Sequence, residues 1–79
     1  MARVLLFGPL RDLAGWRERR IVTGSVSALR LLLAEEDALL GEAISGPGVQ
    51  VAVDQAVIRG DATLSDASEV AFLPPMSGG

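Results

Sequence analysis

A chain of 79 residues without a single cysteine has one way to hold a shape: one apolar core, with no covalent staple to help it. A domain of this size buries only about 60% of the surface its unfolded chain exposes, so each element must give an apolar face to that core. The composition supplies it. Nearly half of the residues are hydrophobic, 49%, against a net charge of only -3, which fits a folded chain rather than a disordered one.

The same inventory removes whole classes of chemistry. Without cysteine there is no zinc-thiolate cluster, no thiol nucleophile and no side chain that could relay sulfur. Without histidine the commonest metal ligand and the commonest general base near neutral pH are both missing. No metal site and no independent catalysis are therefore expected. All seven basic residues are arginine, so no side-chain amine can accept an isopeptide bond. The acidic balance, with no stripe of aromatic and basic residues, argues against a nucleic-acid partner. The longest apolar runs, Val4 to Phe7 and Leu31 to Ala34, are far short of the ~20 residues a membrane span needs. Met1-Ala2-Arg3 leads straight into a strand-like run with no apolar signal region. The expected location is the cytoplasm, without a membrane partner.

Arg3 to Phe7 is rich in strand formers and closes on Gly8-Pro9, a buried strand ending in a turn. Leu10 to Gly15 reads as a loop or one helical turn, and Trp16 to Val22 as an exposed second strand. Val26, Leu29, Leu32 and Leu33 recur at helical spacing after Ser25, whose hydroxyl suits the N-cap. Glu35-Glu36-Asp37 would put three negative charges at that helix's C-terminus, where the macrodipole disfavours them. A break near Glu35 is expected, with Asp37 capping a second short helix from Ala38 to Ile44. The acidic run itself reads as a solvated turn rather than a metal site. Val49 to Val53 alternates as a third strand, Asp54-Gln55 makes a turn, Ala56 to Ile58 forms a fourth strand and Glu69 to Leu73 the last.

This order predicts an α+β fold: a mixed sheet with one main helix packed across one face, the helix supplying the crossover that parallel pairing of the first and last strands requires. That is the β-grasp, or ubiquitin-like, arrangement. The expected domain is 1–75, followed by a flexible C-terminal tail, 76–79, made of Met76, Ser77, Gly78 and Gly79. On the last strand, Val70 and Phe72 are expected to point inward and Ala71 and Leu73 outward.

The tail has the makings of a chemical device. Gly78 and Gly79 carry no β-carbon, so they can lie extended in a channel too narrow for other residues. Pro74 and Pro75 fix their own φ and bias the residues before them toward extended backbone. At about 3.1 Å per residue in a polyproline-like conformation, Pro74 to Gly79 spans on the order of 15–20 Å. A carboxylate is a poor electrophile, so a terminal Gly79 carboxylate would need activation by an external ATP-using enzyme before a sulfur donor could convert it to a thiocarboxylate.

The run from Glu69 to Gly79, Glu-Val-Ala-Phe-Leu-Pro-Pro-Met-Ser-Gly-Gly, resembles the C-terminal signature of the molybdopterin synthase small-subunit (MoaD) family, where Pro-Pro-Val-Ser/Thr-Gly-Gly is usual. Val4 to Phe7, Arg11 to Gly15 and Val51 to Gln55 are similar to the family's opening strand, first loop, and third strand and turn. Departures are Met76 in place of a small branched residue, Asp54 where asparagine is common, and Asp66-Ala67-Ser68 in place of Asp-Gly-Asp.

The resemblance implies a sulfur carrier of molybdenum cofactor biosynthesis. An activating enzyme related to ubiquitin E1 (MoeB-like) adenylates Gly79 using ATP, and a sulfurtransferase supplies sulfur. The thiocarboxylate then enters the large synthase subunit (MoaE-like), which holds the catalytic residues and passes the sulfur to cyclic pyranopterin monophosphate. The carrier itself binds no cofactor, and the family precedent is a heterotetramer of two carriers on a large-subunit dimer. The matching positions suggest that Phe7, Val57 and Leu73 form an apolar docking patch beside the tail. Pro74, Pro75, Met76 and Ser77 accompany it, with Gly78 inserted behind Gly79. Ordinary core is the other reading of Phe7, Val57 and Leu73. Arg11 either meets an acidic patch on the partner or is merely solvated. Thiamin or transfer-RNA thiolation, conjugation to lysines of other proteins, and a ubiquitin-like interaction domain with an inert tail remain alternative functions.

Overall fold

The computed structural model describes residues 1–75, and the expected tail, 76–79, lies outside the described residues. Five strands form one sheet in the order β2-β1-β5-β3-β4. They are β1 (Ala2–Leu6), β2 (Glu18–Ile21), β3 (Gln50–Val53), β4 (Ala56–Ile58) and β5 (Glu69–Leu73). The central strand, β5, runs parallel to its neighbour β1, and every other pairing is antiparallel.

Alternation along β1 and β5 fixes which face is covered. Ala2, Val4 and Leu6 of β1 and Val70 and Phe72 of β5 are all buried, and the register sets Val4 beside Val70 and Leu6 beside Phe72. Against this face lies α2 (Val26–Glu36), which contributes Val26, Leu29 and Leu33 at helical spacing. Ser25 caps it, its hydroxyl accepting from the Ala28 amide at 3.1 Å. Asp37 ends α2 and starts α3 (Ala38–Ile44), accepting from the Leu40 amide at 3.1 Å. The acidic run thus serves as a helix junction, and Leu40 and Ile44 of α3 complete the same core.

Two elements differ from the sequence reading. Leu10 to Gly15, expected as a loop or single turn, belongs to a helix, α1 (Pro9–Ala14), opened by proline at its first turn and closed by Gly15 in the left-handed region. The second strand is confined to Glu18–Ile21 rather than running from Trp16 to Val22. Trp16 is instead turned partly into the core, and the Arg19 guanidinium lies 5.1 Å from the centre of its ring. Arg19 also pairs with Glu36 at 2.8 Å, so this cluster ties the edge strand to the end of α2.

The β3–β4 hairpin turns on Asp54 and Gln55, both at positive φ (50° and 70°), the backbone of a two-residue primed turn. Asp54 also accepts from the Glu69 amide at 2.9 Å, and its own amide donates to the Glu69 carbonyl at 2.8 Å. The turn is thereby fastened to the start of β5.

Candidate functional site

The helices cover one face of the sheet; the site lies on the other. Register places Leu5 beside Ala71, Ala71 beside Ala52, and Ala52 beside Val57, one row across four strands. The middle of that row is alanine and its ends are Leu5 and Val57, so small side chains sit between large ones. The result is a depression of about 340 Å³, walled also by Phe7 and Leu73. Phe7 is 44% exposed and Val57 56%, too open for core residues, and Leu73 is half-buried. Residues from three distant parts of the chain therefore meet at one apolar surface that nothing in the chain covers among the described residues.

Pro74 and Pro75 leave the sheet at the edge of this surface, and two glycines shape their exit. A β-carbon at Gly8 would come 3.3 Å from Cγ of Pro74, and one at Gly48 only 2.8 Å from Cβ of Pro75. Both glycines also have positive φ, 56° and 83°, where other residues are strained. The β1–α1 and α3–β3 turns thus let the two prolines lie close against the fold. Arg11, exposed on α1, lines a neighbouring depression of about 260 Å³ together with Leu5, Phe7, Arg17 and Glu18. Its closest carboxylate is that of Asp12, at 3.8 Å. Met76, Ser77, Gly78 and Gly79 lie outside the described residues.

Leu5, Ala52, Ala71, Gln55 and Glu69 also line the apolar depression and were not singled out in the sequence. Leu5 was detectable in principle, because it is apolar between Val4 and Leu6 and so gives β1 two apolar faces. Ala52 and Ala71 act by being small, which has no sequence signature.

One charged residue, Glu69, is among those lining this surface. The Arg3 guanidinium holds Glu18 at 2.8 Å and approaches Glu69 at 3.7 Å. The hydrogen bond from Arg3 is the main reason the Glu18 carboxyl is held below the usual carboxylate range. Among the described residues no three side chains are grouped to hold a metal ion, and no helix is long and apolar enough to cross a membrane. The one ionisable residue lining the depression, Glu69, lies 3.7 Å from the Arg3 guanidinium and no nucleophile accompanies it, so what this surface can do is bury apolar area against another molecule.

A mixed five-stranded sheet with helices across one face and an open apolar face on the other defines a ubiquitin-like protein of the β-grasp class. The solution structure of small archaeal modifier protein 1 from Methanosarcina acetivorans is similar at a TM-score of 0.86 and 26% identity, over 99% of this chain and 95% of that one. The complex of subunits 1 and 2 of the molybdopterin-converting factor from Helicobacter pylori contains a chain of the same fold. There the TM-score is 0.73 and the identity 24%, over 99% of this chain and 97% of that one. The ThiS family profile matches residues 4–79, and the chain belongs to the ThiS family. It is also 33% identical over 81 residues to the molybdopterin synthase sulfur carrier subunit of Escherichia coli (strain K12), with 100% of both chains covered.

Proposed function

We propose that the chain is the sulfur carrier subunit of a molybdopterin synthase. The observation that carries this reading is the Glu69–Gly79 run, Pro-Pro-Met-Ser-Gly-Gly at its end, whose first five residues are β5 with Leu73 on the open apolar face. Full-length identity of 33% to the Escherichia coli subunit supports the choice of pathway. In this reading an E1-like enzyme transfers AMP from ATP to the Gly79 carboxylate, releasing pyrophosphate. A hydrosulfide equivalent from a sulfurtransferase then displaces AMP and leaves a thiocarboxylate. The partner large subunit seats on Phe7, Val57 and Leu73, and the leash from Pro74 through Ser77 delivers Gly78 and Gly79 to its active site. The sulfur then passes to cyclic pyranopterin monophosphate, and a carboxylate is regenerated on the carrier. The cofactor demand falls on the activating enzyme alone, and the setting is cytoplasmic.

The chemistry is read most directly by intact mass after incubation with activating enzyme, ATP and a sulfur donor. The C-terminal peptide should gain the increment of sulfur for oxygen, and a variant with one residue added after Gly79 should not. An unchanged mass for the native chain rejects the carrier function. The likeness to an archaeal modifier protein favours one second reading, conjugation of the same activated terminus to lysines of other proteins. That reading predicts covalent ladders on target proteins in place of a thiocarboxylate pool.

A further inference from the structure

The seven arginines divide by their surroundings. Arg3 pairs with Glu18 and Glu69, Arg11 with Asp12, and Arg19 with Glu36. Arg17 and Arg20 stand near enough to Glu18 to add to the pull of Arg3 on its carboxyl. Arg30 and Arg59 differ. Among the described residues Arg17, Arg20, Arg30 and Arg59 have no carboxylate within ion-pair distance, and of these four Arg30 and Arg59 line one depression together, of about 310 Å³ at the β3–β4 edge.

Arg30 is half-buried and held in place: its Nη1 donates to the Ile44 carbonyl at 3.0 Å, and its guanidinium lies 5.7 Å from the centre of the Phe72 ring. Arg59 is exposed, just beyond β4. Val57 belongs to both surfaces, walling this groove and the apolar depression. Arg30 packs on Phe72 on the helix-covered side and Val57 stands on the edge strand β4, so a molecule that covers Val57 and wraps the β4 edge comes to rest against the two arginines. Covering them strips water from two cations, which is costly unless the covering molecule brings a negative charge of its own.

We propose that the protein partner docked on the apolar face places a carboxylate side chain, Asp or Glu, into the Arg30–Arg59 groove. The inference rests on the docking surface of the proposed function and adds the charge that the partner must carry there. Two arginines on an acidic chain are too few to hold a nucleic-acid backbone, whereas one planar carboxylate matches a guanidinium fork. Arg3, Arg11 and Arg19 already have a carboxylate of the chain within ion-pair distance, whereas this groove brings together two arginines that have none among the described residues.

The test uses the large synthase subunit from the same organism as the probe, with binding measured by calorimetry at low and moderate salt. Arg59 is exposed, so R59E should leave thermal unfolding unchanged. It should weaken binding about tenfold or more, with R59A weaker in effect, and both should flatten the salt dependence of Kd. F7D, at an exposed residue of the apolar depression that lies outside the groove, tests the docking surface separately and should abolish binding. Loss with F7D but native affinity and native salt dependence with R59E overturns the groove and leaves the docking surface standing. Native binding by F7D rejects the docking surface, and the groove with it.

Discussion

Asp61 shows how one side chain on a loop can secure the main helix. Its carboxylate accepts from the Ser27 amide at 2.9 Å, the Ser27 hydroxyl at 2.8 Å and the Ala62 amide at 2.8 Å, so the α2 N-terminus is capped by Ser25 from within and by Asp61 from across the fold. The Ser27 amide, then its hydroxyl, then the Ala62 amide hold the carboxyl below its ordinary value of 3.8. A folded-state pKa below the unfolded one means that this stabilisation is complete above the ordinary carboxylate range and is lost as pH falls through the folded value. Asp61→Asn should therefore lower Tm at neutral pH, and the gap from the native chain should narrow as pH drops below 3.8. A gap that stays constant down to strongly acidic pH would show that Asp61 acts through shape alone. Nothing in the sequence marks Asp61 for this role, because its partner Ser27 is 34 residues away.

At the scale of elements, the contact between α2 and α3 is set by one missing side chain. A β-carbon on Gly41 would come 2.5 Å from Cβ and 2.6 Å from Cα of Ala34, which no side-chain rotation can relieve. In an isolated helix glycine to alanine is stabilising by roughly 1 kcal/mol. Here the sign reverses: Gly41→Ala should destabilise by about 1–3 kcal/mol, measured by urea unfolding. Adding Ala34→Gly should restore only part, since the contact with the backbone carbon remains. A stabilised Gly41→Ala would mean that the helices separate at no cost. The junction was legible in sequence, because Asp37 follows a run that ends a helix badly and starts one well. The close approach was not, because glycine inside a helical stretch gives no hint of what lies opposite it.

For the molecule as a whole, the parallel pairing of β1 with β5 decides where the surfaces fall. It carries Phe7, at the end of β1, to the same edge as Leu73, and antiparallel β3 and β4 then bring Val57 to the row. The two faces should respond differently to substitution. Phe72→Ala, at a fully buried position, should cost about 3–5 kcal/mol, a large part of what holds a small domain folded. Val57→Asp, at an open one, should change stability by less than about 0.5 kcal/mol while removing partner binding. A chemical melt of the two variants separates the faces, and comparable destabilisation by both would mean that Val57 belongs to the core.

The local rules were enough to place α2 with its Ser25 cap, the Asp54-Gln55 hairpin and the inward turn of Val70 and Phe72, since each depends on neighbours within a few residues or on strict alternation. Pro-Pro and Gly-Gly likewise declared themselves as sequence. Which apolar face stays open was a matter for the tertiary structure. β1 has apolar residues on both sides, Val4 and Leu6 against Leu5, and Val57 and Leu73 add to the second face from far along the chain. The helices cover one side of the five strands, and only the assembled register shows that the other side gathers these residues around two alanines.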